Sequence, residues 1–286
     1  MHVTELRDGD IRLPKRKAES HKGDYGKLLI LGGCVGYTGA PTLCARAAVR
    51  SGAGLVYLGV PEPIYEITAA KNDEAMPFPL PADGQGTFSD AASDAVRDRL
   101  QQCDVCAVGP GMGKSPGAAA LLRFVLDRFR KPLVVDADGL NLLAGQLELL
   151  KSCQAPVVLT PHDGEFVRLG GVISEDRAAS ALRFAEANGC ITVLKGHRTV
   201  IAIPGGEVYI TSHGNPGMAK GGSGDVLTGV LAAMLGQFPV TQAVTTGVYL
   251  HSYAGDLCCE KRGEYAMTAT DLIETLPEAT RSIIEE

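Results

Sequence analysis

The sequence contains no run of about 18 consecutive apolar residues, so it offers no candidate for a membrane-spanning helix. Its first residues are charged from Glu5 onward without an apolar stretch, and no secretory signal peptide is expected. Basic residues are too few for a nucleic-acid-binding face, because 27 Lys and Arg stand against 33 Asp and Glu and the basic run Lys15–Lys17 is short. We therefore expect a globular cytoplasmic protein that binds neither membranes nor nucleic acids.

The sequence also lacks the two cysteine pairs that a typical zinc site uses. Cys103 and Cys106 form one C-x-x-C pair, but no second pair accompanies them and Cys106 lies in an apolar run. Cys258 and Cys259 are adjacent, which is a poor geometry for one shared metal. We interpret all eight cysteines as reduced thiols, most of them small core residues.

Two common nucleotide-binding motifs are absent as well. A P-loop has a glycine separated by four residues from Gly-Lys-Ser, but Val108 occupies that place before Gly113. No G-x-G-x-x-G follows the first apolar run, 27–33, so a dinucleotide-binding fold of that type is not expected.

Short apolar runs alternate with helical patterns along most of the chain. Strands are predicted in the runs 27–33, 55–62, 105–113, 132–138, 156–162 and 191–196, and an antiparallel hairpin around Pro-Gly-Gly is predicted at 200–210. Helices are predicted at 42–51, 116–129, 140–150, 177–187, 225–236, 241–258 and 269–285. The segment 77–89, rich in Pro and Gly, is predicted to be a loop that covers a site. This order predicts an α/β fold, a largely parallel central sheet with helices on both faces, and one domain over 1–286.

Polar clusters directly follow five of the predicted strands. They are Gly32-Gly33, Gly109-Pro110-Gly111, Asp136-Ala137-Asp138, Thr160-Pro161-His162 and Lys195-Gly196. Ligands of parallel α/β sheets bind outside the carboxyl ends of the strands, so these clusters predict one binding site at that edge.

The stretch 214–236 reads GNPGMAKGGSGDVLTGVLAAMLG, a glycine-rich loop that leads directly into a helix. Val226, Val230 and Met234 recur every four residues and predict the apolar face of that helix. Unpaired N–H groups at a helix N-terminus, approached through glycines, form an anion site. Asp225 is either a plain helix cap or a base that removes a proton from a group attacking a phosphate.

The GGSGD sequence followed by VLTG resembles the anion-hole signature of the ribokinase-like superfamily, in which the aspartate is the catalytic base. Within that superfamily the chain resembles the ADP/ATP-dependent NAD(P)H-hydrate dehydratase family. The further motifs that carry this resemblance are HKGDYGKLLILGG, VGPGMG, TPHDGEF and LKGHRT, at 21–33, 108–113, 160–166 and 194–199.

The resemblance implies a role for each matching residue. It implies that the hydrated dinucleotide contacts Ala40, Gly111, His162 and Asp225, and that the anion hole is Gly222, Ser223 and Gly224. It implies that the adenylate is held by Lys195, Gly196, His197, Arg198, Thr199 and Gly224. Glu165 matches a glutamate that orients Mg²⁺ through water, although His162 stands where sugar kinases carry the asparagine of N-x-x-E.

The implied activity is repair of the S epimer of hydrated NADH or NADPH. ADP or ATP would be the co-substrate, Mg²⁺ the cofactor, and a homotetramer the assembly. A small-molecule kinase and a non-catalytic nucleotide-binding regulator remain as alternatives. At single residues, His162 could be structural and Lys195 could pair with a carboxylate at the sheet edge. Asp136 and Asp138 could line the site near Asn141 or cap strand ends.

Overall fold

The computed structural model describes residues 1–285, within which ten strands form one sheet and eleven α-helices surround it. The strands are β1 (His2–Leu6), β2 (Lys27–Leu31), β3 (Leu55–Pro61), β4 (Met76–Leu80), β5 (Val105–Val108), β6 (Leu133–Val135), β7 (Val157–Leu159), β8 (Ile191–Leu194), β9 (Val200–Ile203) and β10 (Glu207–Thr211). The helices are α1 (Gly39–Arg50), α2 (Tyr65–Ala70), α3 (Ala92–Gln102), α4 (Pro116–Arg128), α5 (Asp138–Leu143), α6 (Glu148–Ser152), α7 (Asp163–Arg168), α8 (Arg177–Asn188), α9 (Ser223–Leu235), α10 (Val240–Arg262) and α11 (Ala269–Ser282).

The sheet has the strand order β1-β10-β9-β8-β7-β6-β5-β2-β3-β4. Every neighbouring pair is parallel except the two that involve β9. The hairpin predicted at 200–210 is β9 and β10, with Ala202 opposite Val208. The predicted α/β architecture with a largely parallel sheet is confirmed.

Both faces of the sheet are buried, which explains why its central strands are continuously apolar. Side chains alternate between the faces along a strand, so Leu28 and Ile30 of β2 enter one core cluster while Leu29 and Leu31 enter the other. Helices α1, α9, α10 and α11 cover the first face, and α3, α4 and α8 cover the second.

Helices α1 and α9 approach each other closely along their length. A Cβ on Gly229 would lie 2.1 Å from the carbonyl oxygen of Cys44, so only glycine fits at this contact. Near the start of α9, a Cβ on Gly222 would lie 2.7 Å from Cδ1 of Leu43. The order of Leu43 and Cys44 along α1 matches the order of Gly222 and Gly229 along α9. The two helices therefore run in the same direction, with their N-termini at the same end.

Three predicted elements differ from the structure. The first residues of the predicted loop 77–89 belong to β4, which lies at the edge of the sheet where prolines are tolerated. The predicted helix 140–150 is divided into α5 and α6, because Gly145 between them adopts a φ of +77°. The helix predicted to reach Glu285 ends at Ser282, and Glu286 lies outside the described residues.

The polar segment before Lys27 also contains a strand that was not predicted. β1 pairs in parallel with β10, and Leu13 further along pairs with Ile284 near the other end of the chain. Helices α2, α3 and α7 were not predicted either.

Within residues 1–285, every helix is too short or too polar to cross a bilayer. All eight cysteines are free thiols, and most are buried.

Candidate active site

Strands β2, β5, β6, β7 and β8 are parallel neighbours, so their carboxyl ends meet at one edge of the sheet. Val108 at the end of β5 is in register with Leu31 of β2 and with Val135 of β6. The glycines, carboxylates, histidine and lysine that follow these strands therefore lie along one edge, as the sequence predicts.

A cavity of about 840 Å³ opens at this edge beside the first turn of α9. A volume of this size is typical of a site for a nucleotide-sized molecule. Most of the residues predicted to bind ligands line it, namely His162, Lys195, Gly196, His197, Thr199, Gly222, Ser223, Gly224 and Asp225. Four others, Ala40, Gly111, Glu165 and Arg198, do not line it.

The N-terminus of α9 has no side-chain cap, because its N-cap residue is glycine. Gly222 is the N-cap, with φ of +98°, and contributes no side chain that could accept from the first amides. Asp225 is the third residue of the helix, so the interpretation of Asp225 as a plain N-cap is wrong. The Ser223 amide donates to the carbonyl of Lys220, whereas the amides of Gly224 and Asp225 have no backbone acceptor among the described residues, as an anion site requires.

The Asp225 carboxylate accepts no hydrogen bond from any residue within 1–285. Burial first and the neighbouring Asp136 second raise its pKa, Lys195 partly opposes them, and the net result is a pKa of about 7. A carboxylate that titrates near neutral pH and has a free acceptor is suited to act as a general base.

Lys195 is the cation of this edge. Its Nζ donates to Oδ1 of Asp136 over 2.9 Å and lies 3.6 Å from Oε2 of Glu165. The alternative that Lys195 pairs with a carboxylate at the sheet edge is thus confirmed. Burial alone would raise the pKa of Asp136, but Lys195 and hydrogen bonds from Thr160 and Thr228 outweigh burial and hold that pKa below its ordinary value.

His162 and Glu165 close the N-terminus of α7 with a reciprocal capping box. Nδ1 of His162 accepts from the amides of Gly164 and Glu165 at 3.0 and 3.3 Å, and Oε2 of Glu165 accepts from the His162 amide at 2.8 Å. The structural role considered for His162 is therefore present. Because Nδ1 is an acceptor here, a neutral His162 carries its proton on Nε2.

The two predicted substrate residues outside the cavity lie next to each other. A Cβ on Gly111, which adopts a φ of +61°, would lie 3.1 Å from Cβ of Ala40. Ala40 is in the first turn of α1, and the N-termini of α1 and α9 share one end of their contact. The Ala40–Gly111 pair consequently lies toward the end of the α1–α9 contact at which α9 begins.

The turn between β8 and β9 carries the motif 194–199. Arg198 has the left-handed φ of +58° and forms an ion pair with Glu5 of β1. Its guanidinium therefore points away from the cavity that Lys195 and Thr199 line.

Several cavity residues were not predicted from the sequence. Nε2 of His251 donates to the carbonyl of Ser223 over 2.9 Å, and burial lowers the pKa of His251 to about 4, so this imidazole is neutral. Nζ of Lys220 donates to the carbonyls of Tyr265 and Met267, both over 2.6 Å. These contacts fix the loop before α9. His251 lies in the middle of a buried helical run, where no sequence signal distinguishes it from a core residue.

The open helix N-terminus, the unpaired carboxylate beside it and the position at the carboxyl edge of a parallel sheet are the arrangement that an enzyme acting on phosphate groups would require. The family model described as NAD(P)H-hydrate dehydratase matches residues 28–278, and the chain belongs to this family. The resemblance inferred from the GGSGD motif is thereby confirmed.

Curated relatives include the bifunctional NAD(P)H-hydrate repair enzyme Nnr of Moorella thermoacetica, 46% identical over 96% of this chain. The chain spans about half the length of that relative, 53%. The ADP-dependent (S)-NAD(P)H-hydrate dehydratase of Neisseria meningitidis is 37% identical, over 87% of this chain and 82% of its own length.

Solved structures confirm the fold. A ribokinase-like superfamily protein of Enterococcus faecalis superimposes with a TM-score of 0.87 at 29% identity, covering 99% of this chain and 97% of its own. The ADP/ATP-dependent NAD(P)H-hydrate dehydratase of Bacillus subtilis, co-crystallized with ATP/Mg²⁺, gives a TM-score of 0.80 at 32% identity, covering 94% of each chain.

Proposed function

We propose that this chain is a nucleotide-dependent dehydratase that repairs the S epimer of hydrated NADH and NADPH, with ADP converted to AMP and phosphate. The observation that carries the proposal is Asp225, a carboxylate without a hydrogen-bond partner in residues 1–285, with a pKa near 7, at an open helix N-terminus. Membership in the dehydratase family supports the choice of substrate.

The chemistry begins at the hydroxyl group of the hydrated nicotinamide ring. Asp225 removes the hydroxyl proton as the oxygen attacks the terminal phosphoryl group of the nucleotide, so that a P–O bond forms and the bond to AMP breaks. The ring nitrogen then expels phosphate, a far better leaving group than hydroxide. Loss of a proton from the neighbouring ring carbon restores the dihydropyridine.

The N–H groups at the start of α9 would stabilise the charge on the transferring oxygens. Gly222, Ser223 and Gly224 form this anion hole, and its amides need no side chain to be directed at the phosphoryl group. Lys195 through Thr199, together with Gly224, would hold the adenylate in the 840 Å³ cavity. Ala40, Gly111 and His162 would contact the hydrated dinucleotide.

Mg²⁺ fits this site as an ion carried by the nucleotide phosphates. Within residues 1–285 no three His, Cys, Asp or Glu side chains converge on a metal position. Glu165 accepts from the His162 amide and faces Lys195, so it has little free coordination capacity. Mg²⁺ commonly keeps several waters and uses one or two carboxylates with phosphates, which agrees with orientation by Glu165 through water. The bound ion would neutralise phosphate charge.

The proposal extends to organisation and location. One sheet that contains both β1 and β10 supports a single domain over 1–286. Eight free cysteines support a cytoplasmic location. A homotetramer, with no nucleic-acid or membrane partner, is proposed from the family resemblance, and light scattering of the purified chain would test it.

The direct test mixes pure protein, Mg²⁺, ADP and hydrated NADH, and follows the absorbance of reduced nicotinamide at 340 nm together with AMP and phosphate release. Recovery of absorbance with equal amounts of AMP and phosphate supports the dehydratase. Phosphorylation of a sugar or vitamin precursor without hydrate turnover would instead establish the small-molecule kinase. Nucleotide binding with no turnover of any substrate would indicate a regulator. Replacing ADP by ATP determines the preferred co-substrate.

A further inference from the structure

Asp136 is a deeply buried carboxylate for which the proposed reaction has no direct use. The residue is 1% exposed, and both of its oxygens are engaged. Oδ1 accepts from Nζ of Lys195 at 2.9 Å, and Oδ2 accepts from Oγ1 of Thr228 at 2.8 Å. A buried charge is strongly destabilising unless such partners satisfy it, so the arrangement requires an explanation.

The Asp136–Lys195 pair lies directly against the helical turn that carries the proposed base. Thr228 follows Asp225 by three residues, so the two side chains lie on neighbouring positions of α9. A Cβ on Gly224 would lie 3.3 Å from Nζ of Lys195 and 3.8 Å from Oδ2 of Asp136. The Lys195 ammonium group is therefore close enough to the first turn of α9 to pair with either Asp136 or Asp225.

The groups that face Asp225 come from every element around it. The charged ones are Asp136 after β6, Asp138 in α5, Glu165 in α7 and Lys195 after β8. Two further groups are neutral: burial raises the pKa of the Cys44 thiol on α1 well above its ordinary value, and burial lowers the pKa of His251 on α10 to about 4. Lys195 is thus the single cation among the described groups that act on Asp225.

An ammonium group paired with Asp225 would make it a poor base. An opposite charge within hydrogen-bond distance lowers a carboxyl pKa by about 1–3 units, and the proton affinity that catalysis requires falls with it. In the structure Lys195 is not paired with Asp225, because its ammonium group donates to Asp136 instead.

We propose that Asp136 is a positioning residue: held by Thr228, it keeps Lys195 away from the Asp225 carboxylate and so preserves Asp225 as a base. The proposal rests on the proposed function for the reaction affected. The contacts of Asp136, Lys195 and Thr228 do not depend on the identity of the substrate.

The first test is the pH profile of kcat/KM for Asp136→Asn. Asparagine keeps the shape but loses the charge, so Lys195 is free to pair with Asp225. We expect the acidic limb, with a midpoint near pH 7 in the wild type, to move down by about 1–3 units while the plateau rate falls. An unmoved midpoint in a folded, active variant would overturn the proposal.

Asp138→Asn is the matched control. It also removes a negative charge that faces Asp225, but Asp138 accepts from the Gly113 amide at 3.0 Å and has no contact with Lys195 among the described residues. Its effect on the midpoint should be clearly smaller. Equal shifts in the two variants would mean that Asp136 acts only as one more negative charge, against the positioning role.

A milder pair of variants serves if Asp136→Asn does not fold. Thr228→Val removes the hydroxyl group that fixes Asp136, whereas Thr228→Ser keeps it. A lower midpoint for the valine variant and a wild-type midpoint for the serine variant support the proposal. Identical wild-type midpoints for both would contradict it.

Titration of the Asp225 side-chain carboxyl by ¹³C NMR, in protein without substrate, separates this inference from the proposed function. A lowered midpoint in Thr228→Val, which keeps the Asp136 charge, together with a lowered midpoint in Asp136→Asn, supports the positioning role even if the wild type fails to turn over the hydrate. A midpoint that stays at the wild-type value in these variants, in an enzyme that does turn over the hydrate, removes the positioning role alone.

Discussion

Helices α7 and α9 both begin at the carboxyl edge of the sheet, but their first amides have different partners. In α7 the side chains of His162 and Glu165 accept hydrogen bonds from each other's backbone N–H groups, so the helix start is capped and closed to a ligand. In α9 the N-cap is Gly222, which has no side chain to offer, and the helix start faces the cavity. An acidic residue stands third in both helices, yet Glu165 completes a cap while Asp225 is free. A helix N-terminus therefore becomes an anion site only when its own sequence leaves the amides unpaired.

The largest effect is expected for Asp225→Asn, which separates a base from a structural residue. Asparagine cannot accept the hydroxyl proton, so kcat should fall by at least about a hundredfold. Because Asp225 makes no hydrogen bond within residues 1–285, the variant should have a thermal midpoint no lower than that of the wild type and should keep its affinity for ADP. Steady-state kinetics, calorimetric titration and thermal melting measure these three quantities, and near wild-type turnover would end the base assignment.

A smaller effect is expected for Gly224→Ala, in the open helix start itself. The new Cβ would lie 3.3 Å from Nζ of Lys195 and crowd the phosphate position, so KM for ADP should rise by roughly tenfold, or about 1.4 kcal/mol. Replacement of glycine by alanine in a helix restricts the unfolded chain, so thermal stability should stay equal or increase by up to about 1 kcal/mol.

Gly221→Ala is the matched control for that variant. A Cβ at Gly221 meets nothing within 4 Å, although Gly221 also lines the cavity. Its KM for ADP should remain close to that of the wild type. If the two alanine variants raised KM for ADP equally, the close approach at Gly224 would not be the cause of the increase.

In the closed helix start, His162→Ala should cost about 1 kcal/mol of unfolding free energy, because the amides of Gly164 and Glu165 lose their acceptor. If His162 also contacts the dinucleotide, KM for the hydrate should rise more than KM for ADP. His162→Asn retains a capping side chain and should restore stability, which separates the two roles. Equal changes in both KM values would leave His162 with the structural role alone.

A final prediction concerns the dependence of stability on pH. The pKa of Asp225 is about 7 in the folded protein against 3.8 ordinarily, so the folded state binds more protons between these values. Its contribution to stability is therefore lost as the pH rises through 7. Asp225→Asn lacks this dependence. The melting temperature of the variant minus that of the wild type should therefore be higher at pH 8 than at pH 4. A constant difference in melting temperature across that range would contradict the raised pKa.

The sequence was sufficient to predict that the polar motifs after β5, β6, β7 and β8 lie at one edge of the sheet, because these motifs and the GGSGD loop each have a local pattern. It could not show which helix position Asp225 takes, since that depends on Gly222 adopting a left-handed conformation. Nor could it show that Lys195 pairs with Asp136, because the two residues are 59 positions apart and several carboxylates compete. The role of His251 was hidden for a similar reason, since its contact with Ser223 crosses between two buried helices.

The pairing of β1 with β10 has a consequence for the order in which the chain folds. His2 lies opposite Glu207, and Leu13 exchanges backbone hydrogen bonds with Ile283 and Glu285. During synthesis at roughly 5–20 residues per second, the partner of β1 emerges tens of seconds after β1 itself. Residues 2–6 are therefore fixed later than the strands that follow them, and the side chains of Ile11 and Leu13, which are buried in the folded protein, wait for residues 283–285 to be made.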